Sequence, residues 1–485
     1  MSISAALSNA LSGLTATARL ADVSASNISN ALTDGYGVRE AVLAPRSGGD
    51  LGGVSVLRVR RLVDQVLISD RRQAQAELAY SAVDQSFFTN IQVQMGLPTD
   101  TGSLSDRLAQ IEASLAEATR APESEPNLLK VKDTLAGIAN QLNKLGDSVQ
   151  TERVRADKSI ATEVGNLNNA LTQIGDLNEK IRKHLLFDHD VSSMLDQRQT
   201  LIDYVSERIP VTELDRGYGT VALMAAGGTM LLDGVDAAKL EFTHSAVITA
   251  DMSLSGGTLS ALTVDGRTIA TAKEPNEISG GRLDALFRQR DTTTVEVQAQ
   301  LDGFARDLIE RFEDPAVDPT RSTSDPGLLT DDGAVLDPLY EVGLSQRIKI
   351  NPLVDPSQGG AAWRIRDGLG ASAPGPEGQT AGLMRLSGAL TAYSAPSSSA
   401  FSGGLRTSAT LAADLVSHVG GALERAESSM AFSQAQYDTM KNIELEQGVD
   451  TDAEMQRLLV IEQNYAANAQ VVQTVSDMID WLMRI

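Results

Sequence analysis

Two histidines and two aspartates stand close together in the segment 184–190, which reads HLLFDHD. Imidazole and carboxylate groups bind divalent metals, and His184 and Asp188 share one face of a helix because four residues separate them. The spacing supplies no third ligand, and a histidine at the end of a long helix also interacts favourably with the helix dipole. We therefore predict no metal site here, and no metal or cofactor elsewhere in the chain.

Nucleophile and phosphate-binding motifs are also missing from the sequence. Gly35-Tyr36-Gly37 has closely spaced glycines, but a phosphate loop follows a strand and opens a helix, whereas this segment ends a predicted helix. The chain has no cysteine, no Walker A lysine and no G-x-S-x-G elbow. The serine-rich run 394–402 has no histidine beside it. We predict no catalytic residue and a protein that is not an enzyme.

The composition limits the partners that the chain could bind. Its 64 acidic and 41 basic residues give a net charge of −23, which disfavours nucleic acid and anionic membrane because phosphate groups bind basic surfaces. No run of about 20 apolar residues could span a membrane. The first residues carry neither a basic segment nor a continuous apolar one, so we expect no cleaved signal peptide. Export would need another route.

The first predicted element is a helix over about the first thirty residues, which could position a functional surface. Its apolar residues recur at spacings of four and three, which is the heptad pattern of a coiled coil. The opposite face is rich in Ser, Asn and Thr, so the helix would fold poorly alone and needs a partner to cover its stripe. The stripe consists of Leu7, Leu11, Leu14, Ala18, Ala21, Ala25, Ile28 and Leu32.

A second heptad stripe of nearly the same length runs almost to the last residue. Either stripe alone could simply pack on the globular body, but two matched stripes favour pairing of the two ends, assembly with further copies, or both. We predict that the large apolar residues of both stripes form an assembly seam, with Asn468 as a polar register position. The second stripe consists of Leu458, Ile461, Tyr465, Asn468, Val472, Val475, Ile479 and Leu482.

Between its ends the chain is predicted to be mainly α-helical with smaller β units. Gly227-Gly228 and Asp265-Gly266 lie between apolar runs and suit two-residue hairpin turns, which indicates about four strands. Further short strands are predicted near 346–350 and 363–366. We expect an elongated multidomain protein whose terminal helices pair. Its predicted parts are a terminal coiled-coil assembly domain (1–45 and 445–485), a helical-bundle body (46–209, 280–320 and 403–444), a small β unit (210–279) and a loop-rich outer insertion (321–402).

The stretch RLADVSASNISNALTDGYGVRE, residues 19–40, resembles the signature of the bacterial flagellar rod, hook and hook-associated proteins. In that family a helix with an N-I-A-N-like element ends in a T-x-G-Y turn. The C-terminal stretch LLVIEQNYAANAQVVQTVSDMIDWLM resembles the terminal helix of the same family. The matching turn residues are Asn27, Ile28, Asn30, Thr33, Gly35, Tyr36 and Arg39, with Gly37 where serine is more usual, and the matching helix residues are Gln463, Tyr465, Ala467 and Asn468.

Four internal stretches look like the hook-associated members of this family. They are GVSVLRVRRLVDQVLISDRR, MLDQRQTLIDYVSERIPV, GYGTVALMAAGGTMLLDG and ISGGRLDALFRQRD. In the turn motif, the resemblance implies that the glycines let the chain bend sharply at the end of the inner helix, with Gly35 in a left-handed conformation and Tyr36 packed in the elbow.

The resemblance implies a structural adaptor that self-assembles at the junction between flagellar hook and filament and is required for filament assembly and motility. The implied partners are further copies of the chain, the hook protein, the second junction protein and through it flagellin, and an export chaperone at the C-terminal helix. The implied location is the extracellular flagellum, reached through the flagellar type III route. The terminal helices are expected to be mobile in the free chain and to order on assembly.

Two alternatives remain beside this interpretation. The chain could be another axial flagellar protein of the hook or rod, although the helical region 100–200 and the stretch MLDQRQTLID argue against it. It could also be a rod-associated peptidoglycan hydrolase, which would need a catalytic acid in a cleft that the sequence does not reveal.

Overall fold

The computed structural model describes residues 3–46, 52–271 and 275–484. The fold is mainly α-helical, as predicted, and a π-helical turn (Gln289–Thr293) joins two of its helices. The helices are α1 (Ile3–Ser29), α2 (Gln65–Met95), α3 (Leu104–Arg120), α4 (Glu125–Leu185), α5 (Ser192–Arg208), α6 (Gly281–Arg288), α7 (Thr294–Glu313), α8 (Leu344–Arg347), α9 (Trp363–Asp367), α10 (Ala381–Thr391), α11 (Ser408–Glu446) and α12 (Thr451–Met483).

The strands form small antiparallel sheets. β1 and β2 make a two-stranded hairpin, β3 to β6 a four-stranded sheet, β7 to β9 a three-stranded sheet, and β10 pairs with β11. The strands are β1 (Val38–Pro45), β2 (Val54–Leu62), β3 (Val211–Gly217), β4 (Thr220–Ala225), β5 (Met230–Asp233), β6 (Asp236–Ala237), β7 (Leu240–Glu241), β8 (Thr263–Val264), β9 (Arg267–Thr268), β10 (Leu329–Asp331) and β11 (Ile348–Ile350).

The β unit differs from the prediction in its number of strands. The structure has β3 to β9 in two sheets where about four strands were expected. The additional strands are two residues long, which is too short for an alternating pattern to show. The predicted turn between β8 and β9 is confirmed, because Asp265 and Gly266 have φ of 51° and 76° and a two-residue turn of this kind needs positive φ at both positions.

Helix α4 is the axis of an elongated molecule. It has 61 residues, which corresponds to about 90 Å at 1.5 Å per residue. Its N-terminal half shares one hydrophobic core with α2, α3, α7, α10 and α11. Its C-terminal half shares a second core with α5, α6 and the sheets of β3 to β9. A helix that crosses both cores ties them into one rod-like body.

The segment predicted as a loop-rich outer insertion contributes to the first core. Leu329, Ile348, Ile365 and Leu386 from this segment are all buried there. The strand predicted at 363–366 is wrong, because these residues belong to helix α9. Ile365 and its neighbour Arg366 are both buried, which one helical turn allows, whereas a strand would point them to opposite faces.

The two terminal helices pack against each other, as predicted. A Cβ added to Gly13 of α1 would lie 2.7 Å from Oδ1 of Asn468 on α12, so the absence of a side chain at Gly13 admits this asparagine. Asn27 lies farther along α1 and contacts Glu454, which lies earlier on α12. A later position on α1 therefore meets an earlier position on α12, so the two helices are antiparallel. The β1–β2 hairpin packs on another side of α1.

Candidate functional site

The turn that follows α1 begins earlier than the glycines suggested. The helix ends at Ser29. Just after it, the side-chain Nδ2 of Asn30 donates to the backbone carbonyl of Ser26 at 2.9 Å. An asparagine side chain that binds a helix carbonyl competes with continuation of the helix. Two further bends, with Thr33 donating to Asn30 and Tyr36 to Thr33, carry the chain toward β1.

Gly35 occupies the sharpest part of this turn. Its φ is +78°, which confirms the predicted left-handed conformation that glycine adopts most readily. A Cβ at this position would lie 2.6 Å from Oγ1 of Thr200 on α5. Backbone conformation and space thus both require glycine, and the close approach brings the turn against the body.

Asn27 is the hub on the side of the terminal helices. It is fully buried, and its Oδ1 accepts hydrogen bonds from the Arg39 backbone N–H at 3.0 Å and the Tyr36 hydroxyl at 2.8 Å. Its Nδ2 donates to the Arg39 carbonyl at 2.9 Å and to Oε1 of Glu454 at 3.1 Å. All four hydrogen-bonding positions of the amide are in use, so one side chain joins α1, the turn, β1 and α12.

Asp196 of α5 is the hub on the side of the body. Its Oδ1 accepts from the Gly37 backbone N–H at 3.0 Å and from Nε of Arg61 at 2.6 Å, and its Oδ2 accepts from Nη2 of Arg39 at 3.0 Å. Arg61 also donates to the Gly35 carbonyl at 3.2 Å and to Gln199. The carboxylate is largely buried, so its charge is balanced by two arginines from the hairpin.

Tyr36 packs in the elbow between these two hubs. The Arg39 guanidinium carbon lies 4.8 Å from the centre of its ring, within the range of a cation–π contact. Burial raises the pKa of the Tyr36 hydroxyl. The neutral phenol therefore persists as a hydrogen-bond donor to Asn27 and holds the ring between helix and hairpin.

A row of ion pairs continues the connection along α2 and α11. Arg71 of α2 binds Asp203 of α5 and Glu444 of α11, each at 2.6 Å. Lys441 of α11 reaches Asp34 in the turn at 2.7 Å, and its hydrogen bond and charge lower the pKa of Asp34. We call the set of contacts centred on Asn27 and Asp196 the polar joint. It links the terminal helix pair, the hairpin and the body.

Sequence reasoning found only one side of the polar joint. The resemblance to the family signature assigned five residues to the turn motif, and the structure brings them together. They are Asn27, Gly35, Tyr36, Gly37 and Arg39. Asn30 lies beside them and bonds locally. Arg61, Asp196, Gln199 and Glu454 had no assigned role. Asp196 and Gln199 are three residues apart and share a helix face, which was the available signal for this second side.

The predicted seam residues of α12 divide between two environments. Ile461 and Val475 are 5% exposed, and Leu458 and Val472 are half-buried, on the face toward α1. Tyr465, Ile479 and Leu482 are exposed. The C-terminal stripe therefore covers the intramolecular contact in part, and the remainder is open to solvent.

The predicted seam of α1 lies mainly outside its buried face. Leu7, Leu14 and Ile28 are half-buried and Leu11 is 59% exposed. Small and polar residues are buried instead, because they allow close approach of α12 and the hairpin; they are Ala5, Ala10, Ser12, Ala16, Thr17, Ser24 and Asn27, together with Val23. The role of the leucine stripe in assembly stays a prediction.

The segment 184–190 forms the end of α4 and the loop after it. The His184 and His189 rings meet edge to face, 5.4 Å apart, and Asp190 pairs with Arg19 of α1 at 3.3 Å. Among the residues that the structure describes, no three side chains of the metal-binding types form a cluster. In the same residues, no helix is both long and apolar enough to cross a membrane.

Two family models match the chain. Residues 90–316, from the end of α2 to just past α7, match the helical domain of the flagellar hook-associated protein FlgK. Residues 446–485, which contain α12, match the C-terminal segment of the flagellar basal body rod proteins FlgEFG. The helical body is thus similar to that of a hook-associated protein, and the terminal helix is similar to that of the flagellar rod proteins.

Individual proteins similar to this chain carry flagellar names. The chain is 25% identical over 246 residues to flagellar hook-associated protein 1 of Escherichia coli, covering 49% of this chain and 45% of the relative. It is 24% identical over 246 residues to the protein of the same name from Bacillus subtilis, covering 48% of each. The matched part spans less than half the length of these relatives. A solved FlgK structure from Burkholderia pseudomallei has 18% identity and a TM-score of 0.44, covering 54% of this chain and 46% of that one.

Proposed function

We propose that the chain is a structural adaptor that self-assembles at the junction between the flagellar hook and filament, and that filament assembly and motility require it. The observation that carries this proposal is the polar joint. It fixes a pair of terminal helices, which leave apolar residues exposed, to a long rigid body. An adaptor needs both parts, because one end must pack with neighbours and the other must hold its orientation under load.

The pairing of charged side chains within the polar joint supports a mechanical role over a catalytic one. Its charged groups pair with each other: Asp196 with Arg39 and Arg61, and Glu454 with Arg457. Charged groups that pair in this way hold the geometry of the turn. We therefore assign the joint no chemistry.

The partners follow from the same proposal. They are further copies of the chain, the hook protein, the second junction protein and through it flagellin. An export chaperone would cover the exposed apolar residues of α12 before assembly, since a large exposed apolar surface marks a binding site. The proposed location is the extracellular flagellum, reached by the flagellar type III route.

Removal of the gene tests this function and separates its alternatives. A junction adaptor predicts cells that build complete hooks without filaments and release flagellin into the medium, with full recovery on complementation. A hook protein or a rod-associated hydrolase would instead stop the structure before the hook is complete. Normal filaments in the deletion strain would refute all three.

A further inference from the structure

A groove of about 940 Å³ opens between α1, β2 and the loop that joins α4 to α5. Leu11 and Thr15 lie on its α1 wall, Val56 and Leu57 on its β2 wall, and Leu185 at its end. Leu11 and Leu57 are 59% and 63% exposed. The groove therefore presents apolar side chains to solvent on both of its long walls. We call it the α1–β2 groove.

The terminal helix α12 carries a second apolar stripe on its outer face. Val460, Val471 and Met478 are all exposed, and with Ala467 they recur at the heptad spacings of seven and four. Val460 precedes the buried Ile461 by one residue, which turns the stripe about 100° away from the face toward α1. This outer stripe thus remains available after α12 has paired with α1.

The charges beside these two surfaces differ in sign. The charged residues that line the α1–β2 groove are Arg19, Arg46, Arg58, Asp188 and Asp190, an excess of one positive charge. Of these, Arg58 lies next to Leu57, and Asp477 and Asp480 lie near the C-terminal part of the outer stripe. Within residues 3–46, 52–271 and 275–484, none of these three side chains forms an ion pair. Such charges favour an encounter between the groove and the stripe. The same chain cannot bring them together, because its own α12 lies on a different side of α1.

We propose that the α1–β2 groove of one copy binds the outer stripe of α12 of a second copy. This inference rests on the proposed self-assembly and names the surfaces that meet. The two surfaces differ, so each added copy leaves one groove and one stripe free for the next. Heterologous contacts of this kind generate a ring when the rotation closes and a helical tube when it does not.

Engineered cysteines test this contact, because the chain has none of its own. Leu57→Cys is placed in one copy of the gene, and Val460→Cys, Val471→Cys or Met478→Cys in a second copy, in the native bacterium without the wild-type gene. All four positions are exposed, so each variant should fold. Flagella are isolated and oxidised, and the disulfide-linked heterodimer is measured. The matched control replaces Leu57→Cys by Val93→Cys, which is exposed on α2 of the body.

The expected result is a heterodimer between Leu57→Cys and at least one of the three α12 variants, absent when either variant is present alone and absent with Val93→Cys. Flagella that contain both variants without this heterodimer, or with equal cross-linking to Val93→Cys, would overturn the contact and leave the proposed function standing. Failure of the wild-type chain to enter the flagella would overturn the proposed function, and the contact with it.

Discussion

Nδ2 of Asn27 donates a hydrogen bond to Oε1 of Glu454 at 3.1 Å, although 427 positions separate the two residues in the sequence. Both side chains are buried. The contact joins the end of the first helix to the first turn of the last helix, at the point where the chain leaves toward the body. The orientation of the terminal pair is therefore set at its base, by polar groups with directional requirements.

Asn27→Ala should loosen the terminal pair. The substitution leaves Glu454, the Tyr36 hydroxyl and the Arg39 backbone without a shared partner, at a cost of about 1–3 kcal/mol for unsatisfied buried groups. We expect faster hydrogen exchange in α1, the turn and the first turns of α12. The matched control is Asn30→Ala, whose side chain bonds only within its own segment. Equal exchange in the two variants would contradict the role of Asn27 as a hub.

Asp196→Asn should release the hairpin from the body. The amide keeps the shape of the side chain but removes the charge that faces Arg39 and Arg61, and hydrogen bonds to charged groups contribute about 1.5–3 kcal/mol. Chemical denaturation should show a loss of this size, and exchange should increase in β1 and β2. Asp70→Asn, at an exposed position of α2, is the control and should change neither. An unchanged hairpin in Asp196→Asn would show that the turn is held by other contacts.

Gly35→Val should strain the turn by about 1–3 kcal/mol, because its φ is +78° and its Cβ would lie 2.6 Å from Oγ1 of Thr200. The free protein can relax this strain locally, so solubility should be retained. In the assembly it cannot, so the variant should be exported but fail to seat, and filament protein should appear in the medium. Gly403→Val is the control, since a Cβ there meets nothing within 4 Å. Motile cells with normal filaments carrying Gly35→Val would refute this account of the turn.

Leu11→Asp and Val475→Asp should both prevent filament formation, but for different reasons. Leu11 is 59% exposed and Val475 is 5% exposed. A charge at Leu11 leaves the monomer intact and is buried only on assembly, whereas a charge at Val475 breaks the contact of α12 with α1. Hydrogen exchange of α12 in the free protein should therefore increase only in Val475→Asp. Loss of the helix pair in Leu11→Asp would place the leucine stripe in the fold of the monomer.

Asp302 of α7 should make the stability of the body depend on pH. Burial raises the pKa of this carboxyl above 3.8, although it accepts from the Gly343 and Ser345 backbone N–H groups at 2.7 and 2.8 Å. The folded state then binds more protons than the unfolded state between 3.8 and the raised pKa. Its contribution to stability is thus present below 3.8 and is lost as pH rises through the raised value.

The pH prediction is measured as the difference in unfolding free energy between the wild type and Asp302→Asn. This difference should shift in favour of the wild type as pH falls, because only the wild type gains a proton. Asp355→Asn is the comparison, since hydrogen bonds, first to Gln358, lower the pKa of Asp355. The difference from that variant should shift the opposite way. A constant difference for Asp302→Asn would show that the carboxyl does not titrate in this range.

The sequence predicted the positions of the terminal helices better than it predicted which face of each helix is buried. In α12, Ile461 and Val475 of the predicted stripe are buried in the monomer, since they lie two heptads apart on the face toward α1. In α1 the same pattern did not mark the buried face, since close packing against Asn468 requires glycine at position 13 and small residues beside it. A pattern of apolar residues carries no information on how near a neighbour will come.

The candidate site was predictable only where it was local. Gly35 could be assigned a left-handed conformation from the turn motif alone, and the structure confirms it. Asp196 and Glu454 could not be joined to that turn, because ion pairs between residues far apart in sequence leave no periodic signal. Arg366 shows the same limit, since its burial beside Asp367 in α9 depends on a core formed by distant helices.

The position of the chain in isolated flagella tests the central claim most directly. Gold-labelled antibody against the chain, imaged by electron microscopy on flagella that retain their hooks, should mark a narrow band between hook and filament. Label along the whole hook, on the rod, or nowhere on the flagellum would contradict the assignment of a junction adaptor.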